Sequence, residues 1–202
     1  MIIYIIILIT GVVSFLAFQR RDLFYKMQFN AWYIKHDKEW YRFFSYALLH
    51  GDWGHLLINL FVLWSFSDVV ISYFKMDYGR MAEVYFLLLY LGGTLFSTLY
   101  DYWKNQDNIY YNAVGASGAV SAVVFASIIL YPTGKIFFYF IPIGIPSWLF
   151  GIFYLIYSAY MGQRAKDNVG HNAHFWGAVF GILFIMLINP DYIKLFYRQF
   201  GF

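Results

Sequence analysis

Cysteine is absent from this 202-residue chain, and only 4 residues are proline. The first absence removes disulfides, zinc–cysteine sites and thiol nucleophiles, and leaves the compartment open. Charge is scarce as well: 12% of residues are Asp, Glu, Lys or Arg, against about a quarter in an ordinary soluble domain. With 61% hydrophobic residues and 25% aromatics, a water-soluble globule is excluded. The net charge of +3 is too small and too dispersed to argue for nucleic acid, and basic residues beside membrane spans are expected in any case. No charged run and no Pro/Ser/Gly-rich linker divides the chain, so it reads as one polytopic membrane domain over residues 1–202.

The apolar residues that remain fall in blocks. Six of them approach the length needed to cross a hydrocarbon core about 30 Å thick: residues 1–18, 54–74, 83–100, 113–131, 145–160 and 172–189. Backbone in lipid must satisfy its own hydrogen bonds, and barrel strands would alternate, so all six predict helices. The expected fold is an all-α membrane protein, a bundle of six transmembrane helices. The first block lacks a basic n-region and a small-x-small cleavage site, so it reads as a retained helix. Pro142, Gly144 and Pro146 interrupt the approach to the fifth, and the apolar residues 136–143 before it are too few to span. The long first loop, residues 19–53, carries Trp32, Tyr33, Trp40, Tyr41, Phe43, Phe44, Tyr46 and Trp53. Aromatics at that density favour a loop lying in the headgroup region.

Charge does not orient the chain. The first, third and fifth loops hold nine basic residues (Arg20, Arg21, Lys26, Lys35, Lys38, Arg42, Lys104, Arg164 and Lys166), and the opposite side holds five (Lys75, Arg80, Lys135, Lys194 and Arg198). The positive-inside rule then puts the first loop in the cytoplasm. Without that loop the count reverses, three against five. In either orientation the second, fourth and sixth helices run the same way, and their N-terminal ends share one side. Polar residues gather there: His50, His55 and Asn59, then Ser117, then His171 and His174. At about 1.5 Å per residue, Ser117 and His174 lie roughly 6 Å and 3 Å inside their spans, depths that form one layer.

Gly115-Ala116-Ser117-Gly118 opens the fourth span. A serine at a helix start sits beside unpaired backbone N–H groups with positive dipole character, which suit a developing oxyanion. Its hydroxyl is a weak nucleophile until a base takes the proton, and His174 is the candidate base. Gly177 and Gly181 follow His174 as a GxxxG step, while Ala119, Ala122 and Ala126 line the fourth span, so the two helices are built for close packing. Small residues and interfacial histidines also serve plain packing; coincidence of serine, histidine and a second polar cluster at one depth favours chemistry. His55 and Asn59, spaced i, i+4, share a helix face and both donate hydrogen bonds, as charge stabilisation on a tetrahedral intermediate or as interhelical bonding. The histidines lack a HExxH pattern and a nearby in-span carboxylate, which argues against zinc. Asp68 is the one acid well inside a predicted span, roughly 20 Å down the helix from His55, and Asp167 sits in a loop. A serine hydrolase built from these residues works as a dyad.

Tyr46-Ala47-Leu48-Leu49-His50, His55-x-x-x-Asn59, Leu89-Tyr90-Leu91-Gly92-Gly93, Gly115-Ala116-Ser117-Gly118 and Ala173-His174-x-x-Gly177-x-x-x-Gly181 occur in that order. Together they resemble the rhomboid family of intramembrane serine proteases, in its minimal six-helix bacterial form, over residues 39–188. The resemblance implies Ser117 as nucleophile, His174 as general base, and His55, Asn59 and the Ser117 backbone N–H as oxyanion hole. His50, Gly115, Gly118, Gly177, Gly181 and Arg42 become supporting residues near the site. It further implies transmembrane protein substrates met in the lipid bilayer, no metal, and no cofactor. The implied location is a bacterial inner (cytoplasmic) membrane, with a cytoplasmic N-terminus and an outward-facing site. A catalytically silent rhomboid-like binder of membrane proteins is the alternative. Two positions depart from the family: Tyr41-Arg42 replaces a Trp-Arg pair, and Ser121 stands where many members place an aromatic that stacks on the catalytic histidine.

Overall fold

A computed structural model describes residues 1–138, 141–164 and 169–201. Lys166 and Asp167 lie outside the described residues. The elements are α1 (Ile2–Gln19), α2 (Arg21–Met27), α3 (Ala31–His36), α4 (Arg42–Ser45), α5 (Trp53–Tyr78), α6 (Ala82–Asn105), α7 (Ser117–Leu130), β1 (Lys135–Phe138), β2 (Ile141–Pro146), α8 (Ser147–Arg164), α9 (His171–Ile188) and α10 (Asp191–Arg198).

Each long helix is sided by burial, not by polarity. In α1 the buried residues are Ile3, Ile6, Thr10, Ser14 and Ala17, spaced three or four apart on one face. The opposite face exposes Tyr4, Ile5, Leu8, Ile9, Val12, Phe15 and Leu16. An apolar surface of that kind faces lipid. By contrast α7 is apolar all round and buried all round, Ser117 and Ile129 excepted, which makes it the central helix. Its 14 residues rise about 21 Å, too few to cross the hydrocarbon alone.

Three stretches of the described residues are long and apolar enough to cross a membrane: Ile2–Gln19, Trp53–Asn105, which contains α5 and α6, and His171–Ile188. The central α7 is too short, and α8 is diluted by Tyr154, Tyr157, Tyr160 and a Gln163-Arg164 end. The mostly helical membrane fold therefore stands, while six crossings exceed what length and composition give. The fold also departs from all-α. Residues expected as a loop after the fourth span pair as an antiparallel hairpin, with Lys135 opposite Pro146 and Ile136 opposite Ile145. Ser147 closes it by donating its hydroxyl towards the Tyr131 and Pro132 carbonyls, 2.9 and 2.8 Å away, and starts α8 directly.

Contact between α7 and α9 is backbone on backbone. A Cβ added at Gly177 would collide with the Gly118 carbonyl oxygen, and one at Gly181 with the Ala122 carbonyl oxygen. Both pairings advance by four residues, so the two helices run parallel. On the other flank of α7, a Cβ at Gly93 of α6 would come within 2.7 Å of the Ala122 Cβ.

The first loop folds as a unit on the end of α6. Phe29, Ala31, Ile34, Phe43, Tyr46 and Ala47 form a buried cluster against Leu95, Tyr102, Tyr111 and Ala113. Arg42 binds it together. It is 5% exposed, donates Nη1 to the Tyr25 and Gln28 carbonyls at 2.9 and 2.7 Å, and pairs Nε with Glu39. The Tyr33 and Tyr41 rings lie 4.9 and 5.6 Å from its guanidinium carbon, so both rings face the cation.

The backbone contact predicts a sharp difference between glycines. Gly177→Ala forces α7 and α9 apart and should cost about 1–3 kcal/mol of stability in detergent unfolding. Gly11→Ala, where the added Cβ meets nothing within 4 Å, should be neutral or slightly stabilising. Equal effects at the two positions would contradict the packing.

Candidate active site

Ser117 is the first residue of α7, not the fifth of a longer span as the sequence suggested. Residues 113–116 are taken by other bonds. Ala113 exchanges backbone hydrogen bonds with Phe29 at 2.9 and 3.1 Å, and the Gly115 N–H donates to the Tyr46 carbonyl at 3.1 Å. The first loop thus holds the strand-like approach to the helix and sets where it begins. At Gly115 the backbone takes φ 121°, and an added Cβ would stand 2.7 Å from His55 Cε1. Glycine is required twice over, for the dihedral and for the imidazole lying against it.

His55, in the first turn of α5, is aimed there by its helix cap. Its backbone N–H donates to Asp52 Oδ1 at 2.8 Å. Asn59, one turn on and 5% exposed, donates one amide hydrogen to the His55 carbonyl at 2.9 Å, leaving the second for another acceptor.

Behind His55 stands His50, fully buried, with ring centroids 4.9 Å apart and edge to face. The Ser14 hydroxyl donates to the Leu48 carbonyl at 2.7 Å and also lies 2.9 Å from His50 Nδ1. Since Ser14 has one proton and spends it on Leu48, the proton in the second contact belongs to Nδ1. Nε2 is then the bare acceptor, facing the Ala116 N–H at 3.5 Å. His50 is a neutral strut between α1 and the residue before Ser117. Burial, and then the nearby His55, push its pKa down to about 3 against the pull of Asp52.

On the opposite side, Gly118 lies against α6 and α9 together. An added Cβ would collide with Ser97 and would stand 3.4 Å from the Ala173 carbonyl oxygen. Tyr46 reaches across from the first loop to the Thr94 carbonyl at 2.8 Å and Ser97 Oγ at 3.0 Å, bracing this corner. Gly118 and Ala173 are the chain neighbours of Ser117 and His174, so the nucleophile and base candidates stand on facing helix ends. Both are half-buried. The His171 ring meets His174 edge to face at 6.0 Å and Tyr157 at 5.4 Å.

Three participants escaped the sequence reading. Asp101 lay just past the predicted third span, but α6 continues to Asn105 and leaves it 3% exposed inside the helix, receiving Asn172 Nδ2 at 3.4 Å. Asp68, inside the predicted second span, is exposed on α5. Ser14 was hidden in an apolar span, where an intramembrane hydroxyl is itself a signal. Tyr154 of α8 stacks on His174, with centroids 6.2 Å apart and planes 28° apart, and its hydroxyl lies 2.7 Å from Ser121 Oγ.

A family model described as Rhomboid domain matches residues 37–190. The presenilin-associated rhomboid-like protein, mitochondrial, of Bos taurus is 28% identical over 146 residues, covering 67% of this chain and 35% of its own. Presenilin-associated rhomboid-like protein A, mitochondrial, of Danio rerio is 30% identical over 141 residues, 65% of this chain and 33% of its own. RHOMBOID-like protein 12, mitochondrial, of Arabidopsis thaliana is 28% identical over 144 residues, 65% and 41% respectively. The chain thus spans well under half the length of these curated relatives. Their names correct one expectation: each is mitochondrial, which overturns the bacterial inner membrane implied by the minimal form.

The His50 strut gives a pH dependence. Unfolded, the residue titrates near its ordinary 6.5, and folded near 3, so between these values only the unfolded chain takes up the proton. Its contribution is complete above about 6.5 and is lost as pH falls towards 3. The unfolding midpoint in detergent should drop across that window, and His50→Asn, which keeps a donor to Ser14 but does not titrate, should drop less. An identical drop in the variant would contradict a neutral buried His50.

Proposed function

Because the chain belongs to the rhomboid family, we propose that it engages transmembrane segments of other membrane proteins and cuts them as an intramembrane serine endopeptidase. In this reading the chain is one membrane domain, and α7 and α8 cross with α1, α5, α6 and α9 as a six-helix bundle. The observation that carries it is the α7–α9 contact, which brings a helix-start serine and a histidine to one corner beside His55 and Asn59.

Ser117 Oγ attacks a carbonyl carbon of a locally unwound substrate segment while its proton passes to His174. Negative charge on the former carbonyl oxygen is met by the Ser117 backbone N–H, His55 and Asn59. Collapse of the intermediate breaks the C–N bond, and His174 returns the proton to the leaving amine. Water, deprotonated by His174, then releases the acyl group from Ser117. Neutral imidazole is the working form at the start of each half. Arg42, Tyr46 and His50 act at a distance by fixing the first loop and the residues that precede the nucleophile.

The comparisons favour a second reading over this one. Their names say rhomboid-like and state no activity, which suits a silent binder of membrane proteins. The same names support a mitochondrial membrane as its place. Purified protein with a model transmembrane substrate separates the two. The protease predicts cleavage that falls by about 10³-fold or more in Ser117→Ala and in His174→Ala. Capture of the segment without cleavage, unchanged by either substitution, would establish the binder.

A further inference from the structure

We propose that Tyr154 of α8 positions the His174 imidazole, with Ser121 as the anchor of its hydroxyl; this rests on the protease reading. The position four residues after the nucleophile, where many relatives carry a ring, is a serine here, yet the histidine is not without one. Tyr154 lies 28° from parallel with His174 at a centroid distance of 6.2 Å, within the range of offset aromatic stacking.

Three features place that ring. Gly151, one turn before it, lets α8 close on α7: a Cβ there would already stand 3.2 Å from Ile128 Cδ1 and 3.4 Å from Phe125 Cε1. Phe125 and Phe150 flank the ring with centroids 5.5 and 5.7 Å away. Ser121, buried at 4% exposure, fixes its outer end through the 2.7 Å hydroxyl contact. A serine at 121 is short enough to leave the volume that the tyrosine fills. In this chain the ring that faces His174 is carried by α8, and a hydroxyl stands opposite it on α7. Dispersion and the ring quadrupole then hold the imidazole plane, so the base meets Ser117 in one orientation instead of several. Because Tyr154 is carried by α8, the orientation of the base depends on a helix that bears neither dyad residue.

The test is steady-state cleavage of a model transmembrane substrate by the full-length protein, with thermal unfolding measured alongside. Tyr154→Leu should lower kcat about tenfold or more with KM within about twofold, since misplacement of a catalytic group acts on the chemical step. Tyr154→Phe keeps the stack and should lose about threefold at most. Ser121→Tyr combined with Tyr154→Leu returns the ring to α7 and should recover kcat several-fold over Tyr154→Leu alone, an outcome that general loosening of the fold does not produce. Tyr154→Leu with the parent's kcat overturns the inference, as does a relocated ring that rescues nothing. Should Tyr154→Leu unfold, Tyr154→Phe and Ser121→Ala decide: the inference requires kcat to fall in Ser121→Ala at constant KM, and unchanged kcat overturns it. A parent protein that itself cleaves nothing fails the protease reading, a result distinct from all of these.

Discussion

Where Gly177 meets the Gly118 carbonyl, two helix backbones touch with no side chain between them. The arrangement of the site depends on that approach. Apolar side chains gain nothing by leaving lipid for one another, so helices in a membrane are held by close van der Waals fit and by the few polar groups they share. Here the close fit is between the helix that begins with Ser117 and the helix that carries His174. A side chain at Gly177 would meet the Gly118 carbonyl and drive the two helices apart. The same central helix is braced at Gly93 by α6, and its start is set by the first loop through Tyr46 and Phe29.

In the protease reading the dyad has no acid to orient its base, and neighbouring rings take that part. Stacked and edge-on rings, Tyr154 and His171, surround the His174 imidazole. On the opposite wall a second histidine, His50, is kept neutral by burial and joins α1 to the residue before Ser117. Asp101 sits inside α6 on the same side of the bundle, where its carboxylate is met by the Tyr111 and Asn172 side chains. Around this corner the Ser14, Tyr46, Ser97 and Ser121 hydroxyls each have a hydrogen-bonding neighbour, which offsets the cost of burying them in an apolar surround.

Much of this was legible in the sequence because membrane physics writes large signals. Apolar runs located the helices, the GxxxG step at Gly177 and Gly181 announced the close pair, and the shared end of alternate helices collected Ser117, His174, His55 and Asn59. What escaped reading was set by tertiary contact. The span at 113–131 was drawn four residues early because hydropathy does not register the bond between Ala113 and Phe29. The pairing of Lys135–Phe138 with Ile141–Pro146 was hidden by its brevity and its prolines. Asp101 fell beyond a span drawn by hydropathy alone, since α6 runs on through a polar end. Tyr154 looked like one more aromatic on a tyrosine-rich helix; only the facing Ser121 makes it specific, and that pairing joins residues 33 positions apart.

The central claim is that Ser117 is a nucleophile made reactive by His174 across the α7–α9 contact. The direct measurement is intact-mass and peptide mapping of the protein after exposure to a fluorophosphonate. One adduct, located on Ser117 and lost when His174 is replaced by alanine, is the predicted result. An unmodified protein, or an adduct on Ser117 that forms equally fast without His174, would contradict it.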